Sequence, residues 1–292
     1  MTRKPKSLKK AKAPVKANQA AKYKASIAAS PAKTIANRVA ALAQSPLAVC
    51  ENDTNLQATL DLLRNQAEPI EVRLAALQAL QAASFSFVAF EACRSEYTAA
   101  LREVAQDPDP ELRQRALGML ARDKDGFAQQ KLLEGLRNPD KALVPPEKAL
   151  QLLSYDVHSE AYPTARAMVR KPPNAMARRE ALRLLAADTG SAGVFEKILL
   201  DKSEAADIRQ IAAAALNALK PEKLQAHARE IVLDESEADD IQSTCLTALT
   251  QFGHAPSIAQ DKVLRAKVEN LRGKASNAVK QTARQFLDKY SQ

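Results

Sequence analysis

The stretch "AQDPDPELRQRALGMLA", residues 105–121, contains the pattern from which we predict the fold. Pro108 and Pro110 exclude a continuous helix here, because proline lacks a backbone donor and disfavours helical geometry in the residue before it. The apolar residues that follow recur at i, i+4, i+7 and i+8, which is one face of a helix. These residues are Leu112, Ala116, Met119 and Leu120. The stretch therefore predicts a helix end, a turn and a second helix.

The same four-position pattern recurs along the chain. Its second position is always small, and its last position is leucine each time. The small residues are Ala76, Ala116, Ala149, Ala181, Ala212, Cys245 and Ala283. They are separated by 40, 33, 32, 31, 33 and 38 residues. A period of 30–40 residues is typical of solenoids, which stack one supersecondary unit on the next.

A second helical pattern and a turn separate each pair of these small anchors, as in "FAQQKLLEGLRN" at 127–138. Each unit is therefore predicted to be two antiparallel helices. We expect the small anchor at the closest approach of neighbouring helices, where it allows their axes to come within about 8–10 Å. The predicted fold is all-α, a right-handed α-solenoid of about seven helical hairpins. Low glycine content, with 7 in 292 residues, favours the same conclusion.

Two regions precede the repeats, which cover about 55–292. Residues 30–44 are predicted to form an N-terminal cap helix, with Ser30 as N-cap, Pro31 at its first position, and Ile35, Val39 and Leu42 as its apolar stripe. Residues 1–29 are rich in Lys, Ala and Pro, and we predict a disordered tail there, because such a segment buries too little apolar surface to offset its ordering entropy. The repeat domain as a whole is predicted to cover 30–292.

The positive charge belongs to the N-terminal segment. The chain has a formal net charge of +9, and its first 50 residues hold 11 Lys or Arg and no acid. The remaining 32 basic residues face 34 acidic ones, which leaves the body slightly negative. Any argument for binding a polyanion therefore applies first to the tail, with Lys9, Lys10 and Lys12 among its candidate contacts.

The unit resembles a HEAT repeat, in the short form of bacterial HEAT-like and bilin-lyase-type proteins. The residues that carry the resemblance are "DPDPELRQRALGML", with the parallel stretches "EVRLAALQAL", "DIRQIAAAAL" and "DIQSTCLTAL". The resemblance implies an aspartate in the turn paired with an arginine near the start of the second helix. Asp107 and Arg113 match both positions, whereas Pro146 stands where the next unit would have its arginine.

The position after the first apolar anchor is basic in five of the seven units. Such a row could bind phosphates or carboxylates of a ligand, or could bond turn carboxylates and helix-end carbonyls of adjacent units. Flanking arginines lie off the apolar stripe and are better candidates for an exposed patch. The candidate binding residues in the body are Arg113, Arg115, Arg178, Arg179, Arg183 and Arg209.

The chain lacks the familiar motifs of catalysis. Its three histidines have no metal-ligand spacing, and it has no glycine-rich phosphate loop and no nucleophile motif. Its three cysteines are odd in number and lack CxxC spacing, which favours free thiols in a reducing compartment. We expect no metal, no cofactor and no membrane span, and a cytoplasmic, monomeric protein.

These observations favour a non-enzymatic scaffold that binds a protein or peptide on the solenoid surface and makes an electrostatic contact with its basic tail. The main alternative is a nucleic-acid-binding protein of HEAT-like fold whose tail makes the first contact. A minor alternative, implied by the resemblance, is a lyase-type enzyme subunit.

Overall fold

The computed structural model describes residues 21–28, 30, 33–44, 46–156, 160–253, 255–274 and 276–290. Over these residues the chain is helical and contains no strand, which confirms the prediction of an all-α protein. Contacts between residues divide the chain into two compact units, Met1–Gln129 and Gln130–Gln292. The sequence predicted a single repeat domain and gave no sign of this division.

The first unit begins with a helical segment at 21–27. Its longer elements are α1 (Ile35–Gln44), α2 (Asp53–Arg64), α3 (Ile70–Ser84), α4 (Phe87–Phe90), α5 (Arg94–Val104) and α6 (Pro110–Arg122). Short 3-10 helices lie at Pro46–Cys50 and Glu91–Cys93. Within this unit α2 packs on α3 and α5 on α6, so each pair is a helical hairpin, and α2 also contacts α5.

The helix α7 (Gly126–Arg137) leads into the second unit. That unit contains α8 (Pro146–Leu153), α9 (Ala161–Arg170), α10 (Ala175–Leu185), α11 (Ala192–Leu200), α12 (Ala206–Leu219), α13 (Pro221–Leu233), α14 (Asp239–Phe252), α15 (Ala255–Gln260), α16 (Lys262–Lys274) and α17 (Asn277–Tyr290). The hairpins are α9–α10, α11–α12, α13–α14 and α16–α17. The second helix of each hairpin also contacts the second helix of the next, from α10 through α12 and α14 to α17, and α8 contacts α10.

The small anchors lie where the sequence predicts. All seven are at most 3% exposed, and the leucine that ends each pattern is at most 8% exposed. At the first position of the pattern, six of the seven residues are buried. The exception is Pro145, which is exposed.

The N-terminal boundary differs from the prediction. Residues 21–27 are helical, with Tyr23 and Ile27 buried, so the part of the tail nearest the repeats is ordered. These are the large apolar residues of that segment, and their spacing of four puts both on one helix face. Residues 1–20, which include Lys9, Lys10 and Lys12, lie outside the described residues.

The cap helix α1 starts later than predicted, and only part of its predicted apolar stripe is buried. It begins at Ile35, whose side chain is 44% exposed, whereas Arg38 and Leu42 are buried. The Thr34 hydroxyl accepts the backbone N–H of Asn37, so Thr34 caps this helix. Ser30 lies outside it, and Pro31 is outside the described residues. The hydrophobic periodicity of the sequence could not identify Arg38 as buried. A charged side chain is rarely buried unless another group pairs with it.

Candidate interaction sites: buried ion pairs and a proline-lined cleft

Buried arginines connect successive hairpins within each unit. Arg209 donates from Nε to the Leu199 carbonyl at 2.8 Å, near the end of the first helix of its own hairpin. Its two terminal nitrogens donate to both Glu237 carboxylate oxygens at 2.7 and 2.6 Å, in the turn before the next second helix. The Arg209 and Glu237 side chains are 8% and 2% exposed. The Arg209 guanidinium thus connects the end of α11 to the turn between α13 and α14.

The same arrangement occurs in the first unit. Arg73 donates from Nε to the Leu63 carbonyl at 3.0 Å, and its terminal nitrogens donate to both carboxylate oxygens of Asp107. Both side chains are buried. The sequence paired Asp107 with Arg113, but Arg113 instead donates to the backbone carbonyls of Asp107 and Pro108. The carboxylate therefore pairs with the arginine of the preceding hairpin.

Further pairs extend this series, which we call the ion-pair ladder. Arg38 donates to the Ile27 carbonyl and to Glu68, and Arg178 donates to Glu204 at 2.7 Å. The ladder therefore consists of Arg38–Glu68 and Arg73–Asp107 in the first unit, and Arg178–Glu204 and Arg209–Glu237 in the second. We call the residue that follows the first apolar anchor of a second helix its ladder position. Each acid precedes the ladder position of the next hairpin by five or six residues.

Two of these pairs favour the ionised form of their carboxyl group, in Asp107 and in Glu204. Burial opposes ionisation of Asp107, but the hydrogen bonds from Arg73 and from the Asp109 amide, with the charges of Arg73 and Arg113, lower its pKa overall. The hydrogen bond from Arg178 lowers the pKa of Glu204 in the same way. Removal of one partner from Arg73–Asp107 or Arg209–Glu237 would leave a buried charge uncompensated.

The ladder is interrupted between residues 139 and 174. Pro146 stands at the arginine position of this hairpin, and Pro173 stands five residues before Arg178, where an acid would lie. The other second helices begin two residues before their first anchor, but α8 begins one residue after Pro145. Pro145 has φ −56° and ψ 150°, because the ring of Pro146 excludes helical geometry there. Nearly one turn of helix is therefore missing.

A cleft of about 980 Å³ lies where that turn is missing. It is bounded by the end of α7, the 139–146 segment, α9 and the turn before α10, all within the second unit. Five prolines line it, together with aliphatic side chains: Pro139, Pro146, Pro163, Pro172, Pro173, Leu136, Val144, Ala167 and Met168. Proline side chains lose almost no entropy on burial, so these walls are already ordered for a ligand.

The charged residues among the described lining of the cleft are both cationic. Arg137 and Lys171 lie exposed at its edge, and Arg137 Nε donates to the Thr164 hydroxyl at 3.4 Å. Asn174 caps α10 through the Ala177 N–H and donates from its amide nitrogen to Glu147 at 3.1 Å. The cleft thus combines apolar walls with two positive side chains.

The structure places the other predicted binding arginines outside this cleft. Arg209 and Arg178 are in the ladder. Arg115 pairs with Glu111 one turn earlier, Arg183 pairs with Glu180, and Arg179 pairs with Asp207 of the next hairpin. The binding role of these residues stays a prediction.

Arg179 and Arg183 do line a second, smaller groove in the second unit. It has a volume of about 410 Å³ and runs across α10, α12 and the start of α14. Asp207 and Asp240 also line it, so its charge is mixed. This groove lies on the second helices of its hairpins. The sequence did not predict the proline-lined cleft, although Pro145 at an anchor position was the available signal.

Other side-chain chemistry in the described chain is limited. Cys93 and Cys245 are buried, Cys50 is partly buried, and none forms a disulfide. Burial raises the pKa of the Cys245 thiol to about 12, which disfavours the reactive thiolate. In the part of the chain that the structure describes, we find no cluster of three His, Cys, Asp or Glu arranged to hold a metal ion. None of the described helices is long and apolar enough to cross a bilayer.

Comparison with known proteins supports the helical fold alone. A crystal structure of an engineered protein from the Northeast Structural Genomics Consortium is similar, with a TM-score of 0.50 and 17% sequence identity. The match covers 95% of this chain and 80% of that one. No family model matches the chain. No curated protein matches it.

Proposed function

We propose that this protein is a non-enzymatic scaffold that binds a short segment of a partner protein in the proline-lined cleft. The observation that carries the proposal is the cleft itself, in which a missing helical turn leaves an apolar space with preformed walls and two cationic side chains. Clefts of about 300–1,000 Å³ with apolar walls and a few polar groups are typical ligand sites. A peptide segment suits this one, because its side chains can fill an apolar cleft that is open at the surface.

We further propose that the hairpins belong to a right-handed α-solenoid of HEAT-like repeats. The spacing of the small anchors supports it, as does the contact of each second helix with the next in the second unit. A cytoplasmic location is proposed because free, buried thiols suit a reducing compartment. We expect the unbound chain to be a monomer.

The test uses peptides selected against the full chain from a random displayed library. Ala167 lines the cleft and is exposed, so Ala167→Trp should fill the cleft without disturbing the core. The matched control is Ala218→Trp, at an exposed position of α12 outside the cleft. We expect selected peptides to bind Ala167→Trp at least about tenfold more weakly, and Ala218→Trp as they bind the parent, because filling the cleft removes the buried apolar contacts. Equal binding to both variants would exclude the cleft as the site.

Nucleic-acid binding remains a second candidate, and the composition of the N-terminal segment favours it. A segment with no acid before Glu51 would neutralise phosphates without sequence preference. Affinity for duplex DNA should then fall steeply with salt, and Lys9→Gln, Lys10→Gln and Lys12→Gln together should reduce that slope by about 3 if all three contact phosphates. An unchanged slope in the triple variant would remove this segment from the interface.

A further inference from the structure

The two cations at the proline-lined cleft differ from most cations of the second unit. Arg137 and Lys171 lie exposed at the edge of the cleft, and over the part of the chain that the structure describes neither side chain is paired with a carboxylate. Most arginines of this unit do have such a partner: Arg166, Arg178, Arg179, Arg183, Arg209, Arg229 and Arg272. The two cations at the cleft are therefore available to an acidic group of a ligand.

The segment that builds the cleft is positive, although the body of the chain is slightly negative. Residues 130–174 hold seven Lys or Arg and five Asp or Glu, whereas residues 51–292 hold 32 and 34. Two of those five acids already have partners. Glu134 accepts hydrogen bonds from two lysines at 3.3 and 2.6 Å, and Glu147 accepts the amide of Asn174 at 3.1 Å. These contacts leave the cations of the cleft uncompensated.

The walls of the cleft present apolar surface to the solvent. Leu136 and Val144 are buried where they line it, whereas Pro163, Ala167 and Pro173 are exposed. Removing apolar surface from water favours binding roughly in proportion to the area that is covered. The occupant that suits the cleft is therefore apolar where it meets these walls and negatively charged at its edge.

We propose that the cleft selects a segment of a partner protein in which apolar residues are flanked by aspartate or glutamate. The apolar residues fill the cleft, and the carboxylates pair with Arg137 and Lys171. Arg137 uses its Nε for the Thr164 hydroxyl, so both terminal nitrogens can donate to the two oxygens of one carboxylate. This inference rests on the proposed function and adds to it the chemical class of the bound segment.

The same features disfavour two other occupants. The first 50 residues of this chain hold 11 Lys or Arg and no acid, so the positive edge of the cleft would repel that segment. A nucleic acid would supply phosphates to Arg137 and Lys171, but it would leave the proline walls in water. The described lining of the cleft also contains no aromatic side chain on which a base could stack.

The test begins with peptides selected against the full chain from a random displayed library. We expect the selected peptides to be enriched in aspartate and glutamate beside apolar residues. Versions of the same peptides in which each acid is replaced by its amide should bind about fivefold or more weakly at low salt. The difference should shrink at 1 M salt, where charges are screened within about 3 Å.

Variants of the full chain test which residues recognise the acids. Arg137→Gln with Lys171→Gln should weaken binding of the acidic peptides about fivefold or more and remove the difference between acid and amide versions. The matched control, Arg284→Gln with Lys262→Gln, removes the same charges at exposed positions outside the cleft and should bind as the parent does. Circular dichroism checks that each variant is folded.

A charge reversal gives a readout that a merely structural role would not produce. Arg137→Glu with Lys171→Glu should prefer versions of the peptides in which lysine replaces each acid, whereas the parent should prefer the acidic versions. An unchanged preference in the reversed variant would overturn the assignment of Arg137 and Lys171.

The outcomes separate this inference from the proposed function. If Ala167→Trp abolishes binding but acid and amide peptides bind equally well, the cleft remains the binding site and its preference for acids is overturned. Selected peptides without acidic residues, or full binding by Arg137→Gln with Lys171→Gln, would overturn that preference in the same way. Full binding by Ala167→Trp, or a selection that yields no binding peptide, would overturn both proposals.

Discussion

Two parts of the second unit differ in the length of their second helices and in the bonds between successive hairpins. In the hairpins α11–α12 and α13–α14 the second helices are 14 residues long, and the buried Arg209–Glu237 pair joins one hairpin to the next. In the 139–174 segment, α8 has 8 residues, prolines occupy the ladder position and the acid position that precedes the next one, and a cleft takes the place of the missing turn. The hairpins thus leave an apolar cleft where a local packing element is missing.

The difference has a simple cause in backbone chemistry. Proline fixes φ, lacks a donor and disfavours helix in the residue before it, so Pro145-Pro146 prevents α8 from starting earlier. Pro146 and Pro173 also remove the charges that would connect this hairpin to the next. Local sequence therefore changes helix length and interhelical bonding at the same position.

The largest expected effect on stability concerns the Arg209–Glu237 pair between the hairpins α11–α12 and α13–α14. Arg209→Leu leaves the buried carboxylate of Glu237 without its partner, and we expect a loss of about 3–5 kcal/mol in the free energy of unfolding. Arg183→Leu, which removes an exposed arginine paired one turn away, should cost less than about 0.5 kcal/mol. Urea unfolding followed by circular dichroism measures both. A double variant, Arg209→Leu with Glu237→Leu, should recover much of the loss, and failure to recover would show that the unpaired charge is not the cause.

A second prediction tests the small anchors of the same hairpins. Ala212 is fully buried, so Ala212→Phe should overpack the helix contact and cost about 3 kcal/mol. Ala214 lies on the same helix but is exposed, and Ala214→Phe should cost about 0.5 kcal/mol from helix propensity alone. The unfolding midpoints in urea compare the two, and similar midpoints would contradict a close approach at Ala212.

A third prediction is the acid sensitivity of the ladder. The pKa of Asp107 is lower in the folded protein than its usual 3.8, so the unfolded chain takes up the proton first as pH falls. The stabilisation is therefore complete above about pH 5 and is lost as pH falls through the folded pKa. We expect unfolding free energy to decrease below about pH 5, and Asp107→Asn to show a shallower decrease together with a lower value at neutral pH. Parallel pH curves for parent and variant would argue against an ionised Asp107 in the fold.

A smaller effect is expected at the wall of the cleft. A Cβ on Gly135 would lie 2.9 Å from the Cα of Ala142, so Gly135→Ala should displace the 139–142 segment. A Cβ on Gly193 would meet nothing within 4 Å, and Gly193→Ala should stabilise its helix by about 1 kcal/mol. We expect Gly135→Ala to be about 1–2 kcal/mol less stable than Gly193→Ala, because the clash opposes the same gain in propensity. Equal stabilisation in thermal unfolding would show that the wall moves freely.

Periodicity predicted the helices and the anchors well, since burial of Ala76, Ala181 and their equivalents depends on a local 3.6-residue repeat. It did not predict which charges would be buried. Arg38 pairs with Glu68, 30 residues away in sequence, and only the packed structure identifies it. For the basic row that contains Arg73, bonds to turn carboxylates and helix-end carbonyls of adjacent units are one of the two predicted roles, and Arg73 makes both kinds of bond. The cleft was missed for a related reason: Pro146 was recognised as a departure from the arginine pattern, but the space that it leaves depends on how α9 packs beside it.

The two proline positions at the cleft can be tested by restoring a ladder pair there. We propose a double-mutant cycle with Pro146→Arg and Pro173→Glu, in which the free energy of urea unfolding is measured for the parent, both single variants and the double variant. If these positions are the missing ladder pair, the double variant should be more stable than the sum of the single effects by about 1 kcal/mol or more. Additivity within about 0.5 kcal/mol would contradict the assignment of this cleft to an omitted pair.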